Sequence, residues 1–406
     1  MDKLIKDSRI IQGLFENYNE ENLSYEYIIK QFPNVDFDLL ITYYDRLSED
    51  IDLLKLAEYM NYLDCGELAD VLFKIKNSGL ILNENSLNKD LIREIKELDK
   101  IIKIACGMYH SVALKKDGTY LIWGGINSNQ RKSESLMIGG YIDIACGDFH
   151  TVLLHKDGGI TSIVEEYHYA IGGDIYGERK LVTIACGGSN TIMLDDIGRI
   201  NFLGIKKYPN DRYIAIASGK NHYVALKNDG RVAVFGGEIF NNYKDIPTND
   251  GYIKIACSDF HSVALHKEGY IKTWGNTNMN QRDNSPDSVG FIDIACGENQ
   301  SVALHKDGYV VTWGSKGKNQ RDDEPLERNF IAIACGSKHS IALREDGSIV
   351  AWGGNSLNQR KDCPTKNGFV AIACGEFHSV ALHRDGSLAM WGGNYFDERK
   401  DFPYEI

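Results

Sequence analysis

Beyond residue 98 the chain is built from short runs in which apolar and polar residues alternate. In Phe291-Ile292-Asp293-Ile294-Ala295, Ile292 and Ile294 fall on one face, the period-two pattern of a strand. Gly297-Glu298-Asn299 turns the chain into a second apolar run, Ser301-Val302-Ala303-Leu304. Lys306-Asp307-Gly308 follows, and Asp-Gly between apolar runs predicts a two-residue hairpin of type I′. Tyr309-Val310-Val311-Thr312-Trp313 reads as a third strand, and Gly314 to Pro325 as polar loop with room for a short outer strand. Residues 1–97 have a different period. Asp36 to Tyr44 and Leu53 to Met60 place apolar residues at helical spacing, and Asp64-Cys65-Gly66-Glu67 is a capping box for a helix through Lys74. Helix, break, helix predicts an αα-hairpin, with 87–99 a charged helical connector.

The strand unit is repeated. Ile-Ala-Cys recurs at Cys106, Cys146, Cys186, Cys257, Cys296, Cys335 and Cys374, with Ser218 in the remaining copy, at steps of 40, 40, 32, 39, 39, 39 and 39 residues. A fixed period near 39 means one supersecondary unit copied along the chain. All eight copies keep a hairpin glycine: Gly118, Gly158, Gly198, Gly230, Gly269, Gly308, Gly347 and Gly386. A turn at positive φ demands it, whereas Gly251, outside that slot, is expected to tolerate a side chain better. Trp123, Trp274, Trp313, Trp352 and Trp391 share another slot, filled by Phe235 in the fourth copy; the second and third copies are degenerate. Three strands cannot form a stable sheet alone, but packed face to face around an axis they bury both faces. The expected fold is therefore mainly β: a propeller of eight blades over residues 98–406, with seven blades as the alternative, preceded by a small α-helical domain over 1–97. The propeller part is expected to fold without the helical part.

Charge and composition refine this picture. The net charge of −12 is concentrated in 1–97, where 11 Lys+Arg face 20 Asp+Glu, so no bulk basic field for nucleic acid exists. No run of 18 uncharged apolar residues predicts a membrane span, and Met1-Asp2-Lys3-Leu4-Ile5-Lys6-Asp7 has no apolar signal core. Nine thiols without a CxxC pair fit a reducing compartment. An intracellular protein, cytoplasmic or nuclear and not secreted, is expected.

Three repeated slots could carry chemistry. Equivalent cysteines on packed sheets lie about 10 Å apart, beyond the ~7 Å a disulfide allows, so they read as structural thiols packed as small hydrophobes. His110, His150, His222, His261, His339 and His378 share one slot, with Asn190 and Gln300 in the other copies, and read as structural imidazoles bonding backbone groups. Arg131, Arg282, Arg321 and Arg360 each follow Asn-Gln, while Arg179 and Arg399 follow Glu. One arginine per blade would form a partial basic rim able to bind a partner, unless neighbours such as Asp283, Asp322 and Asp362 or the blade tryptophan occupy it. No nucleophile–base pair, phosphate loop or HExxH motif is present, so no catalytic residue, cofactor or metal is expected.

Ile333-Ala334-Cys335-Gly336-Ser337-Lys338-His339-Ser340-Ile341-Ala342-Leu343, then Asp346-Gly347 and Ala351-Trp352-Gly353, resembles the RCC1 repeat, over about three quarters of the chain. The resemblance implies a β-propeller of a kind used for guanine-nucleotide exchange, chromatin binding, ubiquitin-ligase substrate docking or enzyme inhibition. Asn-Gln-Arg stands where that family has Gly-Gln-Leu-Gly. Ser8-Arg9-Ile10-Ile11, Phe32-Pro33-Asn34-Val35 and Leu54-Lys55-Leu56-Ala57-Glu58-Tyr59-Met60 resemble the later part of a BTB or Skp1-like domain, without its opening strands. Together these imply a non-catalytic adaptor. Its propeller docks a protein partner, such as a substrate for a cullin-type ubiquitin ligase, while 1–97 contacts a cullin or F-box-type protein. The alternative is an RCC1-type exchange factor for a small GTPase, or a chromatin-associated regulator.

Overall fold

The structure is a computed structural model of the 406-residue chain and describes residues 100–125, 140–164, 167–171, 180–202, 211–236, 244–277, 280–315, 322–395, 397–399 and 402–403. The helical region expected at 1–97 lies outside the described residues.

The described strands form eight antiparallel sheets, each made of strands consecutive in sequence. Blades 1 to 8 span residues 101–124, 141–171, 181–202, 213–236, 252–275, 291–314, 330–353 and 369–392. In blade 1 these are β1 (Ile101–Cys106), β2 (His110–Lys115) and β3 (Tyr120–Gly124), in that order across the sheet. An outer strand occurs in blade 2 alone among the described residues, β7 (Tyr167–Ile171), in a copy that lacks the tryptophan. The first strands of successive blades touch one another, and β1 touches both β4 (Tyr141–Cys146) and β23 (Phe369–Cys374). The ring is thus closed at eight blades.

Its core is divided rather than single. Eight apolar clusters exist, one at each blade interface. Val263, Leu265 and Ile271 of blade 5, for example, pack on Phe291, Ile294, Ala303 and Trp313 of blade 6. The five slot tryptophans are at most 1% exposed, so each fills its interface completely. Closure uses the same chemistry: Ile101, Ala113 and Trp123 pack on Val380, Leu382 and Leu388, and Phe402 meets Trp123 edge-on at 5.7 Å.

Three local expectations are corrected by the backbone. The hairpin is not a two-residue turn. Gly308 N–H donates to His305 C=O and His305 N–H to Tyr309 C=O, giving a three-residue loop in which only the glycine has positive φ, 78°. A type I turn closed by a glycine bulge meets that geometry. Second, Ile292 and Ile294 do not share a face. The register slips between Phe291 and Asp293, the signature of a β-bulge, so Ile294 is 4% exposed and Ile292 55%. Third, Gly251 has φ +86°, and a Cβ there would sit 2.3 Å from His266 Nε2, so it is as constrained as the hairpin glycines.

Two stability predictions follow from this packing. A Cβ on Gly308 would meet Asn329 N at 2.7 Å, whereas one on Gly386 (φ +91°) meets nothing within 4 Å. Gly308→Ala should therefore cost about 1–3 kcal/mol, clearly more than Gly386→Ala; equal unfolding midpoints in urea would refute the steric reading. Trp352 Nε1 donates to Thr312 Oγ1 at 3.0 Å across the interface, while Trp274 Nε1 is buried without a partner. Val234 holds the position that Thr312 holds two blades later. Val234→Thr should raise stability by about 0.5–1.5 kcal/mol, read as a higher melting temperature; a lower one would show that the hydroxyl fails to reach the indole.

Candidate functional site

The first strand of each blade ends at the Cys slot, and the following residues turn the chain at one end of the axial channel. Blade symmetry makes each slot a ring. Cys106, Cys146, Ser218, Cys257, Cys296, Cys335 and Cys374 line a cavity of ≈ 230 Å³, together with the residues that follow them, glycine in each case but Ser258. The next residue in each copy forms the rim: Met108, Asp148, Gly188, Lys220, Asp259, Glu298, Ser337 and Glu376. Four carboxylates and one ammonium therefore ring this mouth.

The thiols are free and partly open to the channel, yet enclosed by protein. Burial pushes Cys106, Cys186 and Cys257 up to about 12, which leaves them protonated and unreactive. Most approach the hydroxyl five residues on, as in Cys335 Sγ to Ser340 Oγ at 3.5 Å. Among the described residues no group of three or more His, Cys, Asp or Glu side chains is placed to hold a metal ion.

At the mouth, Lys220 Nζ lies 3.0 Å from Asp148 and 3.9 Å from Asp259. Burial disfavours the ammonium, but Asp148, Asp259 and Glu376 outweigh it and raise the Lys220 pKa. Ser337 Oγ donates to Glu298 Oε2 at 2.6 Å. Burial, then the charges of Glu298 and Asp148, push Glu376 up to about 7. Burial likewise raises Asp259 to about 6, against the pull of Lys220. Two carboxylates that resist ionisation, Asp259 and Glu376, are poised to gain from an added cation. Beside it runs an aromatic arc across blades 8, 1 and 2, with Phe377 and Phe149 ring centroids 6.1 and 5.9 Å from Tyr109.

Behind the mouth lies a belt of hydrogen bonds that joins the blades. Each slot histidine reaches the hydroxyl of the next blade, where the sequence predicts a backbone partner; His150 also bonds the Gly188 backbone. Nε2 of His110 meets Thr151 at 2.9 Å, His150 meets Thr191 at 2.9 Å and His222 meets Ser262 at 2.7 Å. His261 meets Ser301 at 2.7 Å and His339 meets Ser379 at 2.8 Å. Gln300 Nε2 donates to Ser340 at 3.0 Å. His378 closes the belt on Ser111 at 2.7 Å, across the two ends of the ring. Burial depresses all six imidazoles: to about 4 at His110, His222 and His339, to about 3 at His261 and His378, and downward at His150. A second histidine slot escaped the sequence reading. His266 and His305 stack on Tyr270 and Tyr309, and Nε2 of His266, His305 and His383 bonds the carbonyls of Asp250, Val289 and Asn367. The signal is a histidine three residues before four of the hairpin glycines, Gly158, Gly269, Gly308 and Gly386.

The arginine rim lies on the same face as the acidic mouth, because its loops bond the ends of the third strands, as in Gly314 N–H to Asp283 C=O. Arg282, Arg360 and Arg399 are paired, but with the loop of the preceding blade: Asp245 at 2.6 Å, Asp323 at 2.6 Å and Asp362 at 3.5 Å. Arg131, Arg179 and Arg321 lie outside the described residues. The acidic column itself was missed because its slot varies from copy to copy.

The belt sets an acid limit. Each imidazole has a folded pKa below its ordinary value of 6.5, so below that pH the unfolded chain takes up protons that the ring refuses. Stability is fully present above pH 6.5 and falls as pH drops toward 4. Asp259 and Glu376 act in the opposite sense, since their raised values let the folded ring gain protons first, but two groups oppose six. A melting temperature that stays flat from pH 7 to about 5 would contradict the neutral belt. His339→Gln should keep the bond to Ser379, as Gln300 does in its own slot, and change stability by less than about 1 kcal/mol. His339→Leu, which strands a buried hydroxyl, should cost about 1–3 kcal/mol.

Residues 252–281, 291–320, 330–359 and 369–398 match the family described as Regulator of chromosome condensation (RCC1) repeat. No curated protein matches the chain in sequence. Similar solved structures include human WBSCR16, at 17% identity, covering 70% of this chain and 88% of that one, with TM-score 0.47. The ectodomain of the Physcomitrella patens receptor kinase CR4 aligns at 16% identity over 72% of this chain and 74% of its own, with TM-score 0.48. Prp20p from Saccharomyces cerevisiae, described with its binding properties to Gsp1p and histones, aligns at 17% identity over 74% and 94%, with TM-score 0.47. The matched stretches begin on the first residues of the bulged first strands of blades 5 to 8, so the family model matches those four blades.

Proposed function

We propose that the ring is a non-catalytic interaction module of the RCC1-repeat propeller kind, which takes a basic loop of a protein partner at its acidic mouth. The observation that carries this reading is the rim of Asp148, Asp259, Glu298 and Glu376 around the channel. Lys220, already seated there, shows that an ammonium fits between these carboxylates. The adjacent Phe149, 45% exposed, and the half-buried Tyr109 beside it offer apolar contact and cation–π faces to the same loop. The Arg–Asp pairs farther out, formed by Arg282, Arg360 and Arg399, would frame the partner as a charge-balanced border. In the adaptor reading, residues 1–97 engage a second protein of cullin or F-box type and the propeller presents the captured partner to it. The resemblance of the N-terminal segment to a BTB or Skp1-like domain supports that part.

The test uses the full chain and a Lys/Arg-rich peptide as probe. Binding should tighten as pH rises from 6 to 8, because Asp259 and Glu376 ionise over that range, and should weaken with salt. Glu298→Lys should weaken it about tenfold, ~1.4 kcal/mol. Affinity unchanged by the reversal would remove the mouth as the site. In parallel, the chain should leave nucleotide release from small GTPases unaltered. Accelerated release would replace the adaptor by the exchange-factor reading, since exchange needs tighter binding to the nucleotide-free form.

A further inference from the structure

The opposite end of the ring carries a feature that neither the fold nor the acidic mouth requires. The second residue of every first strand is β-branched and exposed: Ile102 52%, Ile142 49%, Val182 43%, Ile214 55%, Ile253 59%, Ile292 55%, Ile331 54% and Val370 52%. All eight of the bulges that produce this show the same slip of register, as between Ile101 and Lys103 or between Phe369 and Ala371. A strand without the bulge would pass its second residue to a neighbouring interface. The bulge instead turns it outward, so eight aliphatic side chains encircle this end. They lie about 13 Å along the strand from the Cys slot, at roughly 3.3 Å per residue. The hairpin loops share this end, because Gly118 C=O accepts from Tyr141 N–H at the start of the next first strand.

The surroundings are charge-silent. The third strand position holds Lys103, Asp143, Lys254 and Asp293 among its eight residues; Lys103 pairs with Asp143 and Lys254 with Asp293 across blade interfaces. Thr183, Ala215, Ala332 and Ala371 carry no charge. Most exposed hairpin loops pair a cation with an anion, as in Lys156-Asp157, Lys267-Glu268, Lys306-Asp307 and Arg384-Asp385; the acidic steps are Asp195-Asp196 and Glu345-Asp346, the latter preceded by Arg344. A two-fold axis across this end would bring each such cation–anion step against an inverted one.

We propose that this aliphatic ring is a self-association surface, occupied by the same ring of a second copy of the chain. Charge complementarity decides the occupant. A chain of net charge −12 repels its own copy over most approaches, and the acidic mouth would meet an identical acidic mouth. Only the aliphatic end meets itself without net repulsion, as an isologous dimer needs. The apolar area also points this way. A half-exposed aliphatic side chain offers about 30–60 Å² of apolar surface at ~25 cal/mol per Å². Eight give a ring of about 250–500 Å², the size of the patches that mark interfaces on monomers. The flanking hairpin loops would have to supply the rest of the ~800 Å² per partner of a standard interface.

Sedimentation velocity of the full chain across the micromolar range tests this. The wild type should dimerise, and the double variant Ile292→Asp/Ile331→Asp should sediment as a monomer, its dissociation constant raised at least about a hundredfold. Both positions are over half exposed in the single ring, so the melting temperature of the variant's monomer should hold. Should the aspartates prevent folding, Ile292→Ser/Ile331→Ser is read in the same way. Leu326→Asp, at a 96% exposed leucine outside the ring, should leave the dimer intact. A wild type that stays monomeric throughout overturns the proposal. So does a dimer that survives the ring substitutions.

Discussion

A three-stranded sheet whose side chains are apolar on both faces has nowhere to bury either face until it meets another sheet. Here that requirement is met only by neighbours in a ring, and all else in the structure depends on it. The two chain ends share no blade, since every sheet consists of consecutive strands. Closure is therefore non-covalent at the seam between blades 8 and 1. Trp123 against Val380, Leu382 and Leu388, the Ser111–His378 contact and Phe402 over Trp123 hold that seam. No blade is stable with one face bare, so losing this seam exposes apolar surface on two blades at once. Stability in such an array is a sum over interfaces.

That constraint separates positions that can vary from those that cannot. The slot histidine must offer a donor or acceptor to the next blade, so its replacements are Asn190 and Gln300. The side chain after the Cys-Gly step belongs to none of the apolar interface clusters, and it ranges from Met108 to Lys220 to Glu376. Functional character accumulates where packing makes no demand. The acidic mouth is a property of the ring, not of any repeat, because a carboxylate contributed singly by four separate blades becomes a cluster only after closure.

This also explains what was legible in the sequence. Period, hairpin glycines and tryptophan slot report local chain geometry, and they led to an eight-bladed propeller before any coordinates. The outward turn of Ile292 was not legible, because a bulge is defined by its register against a partner strand and not by the alternation of its own residues. The partners of the arginines were hidden for a related reason. Arg282 and Arg360 bypass the adjacent aspartates and reach Asp245 and Asp323, 37 residues upstream, a pairing set by the angle between blades. The histidine belt, likewise, needed the closed ring to bring His378 and Ser111 together, 267 positions apart.

The interface between blades 3 and 4 shows which of the two ring-forming devices is dispensable. There the belt is interrupted: Asn190 donates to the Lys220 carbonyl, and Tyr223 takes the place of the serine or threonine. Blade 3 is also the shortest, its third strand reduced to Ile200–Phe202. The gap is filled by aromatic packing, with Phe202 5.0 Å from Tyr223 and 5.9 Å from Phe235, and Tyr213 5.9 Å from Phe235. Phe235 stands in the tryptophan slot, so the same position supplies the filling in both arrangements. A net hydrogen bond contributes about 1 kcal/mol, and an aromatic pair about 0.5–1.5 kcal/mol beyond its burial, so the exchange is close to even. Apolar filling persists at every interface while the belt does not, which places the determinant of the ring in its packing and leaves to the belt the alignment of one blade with the next.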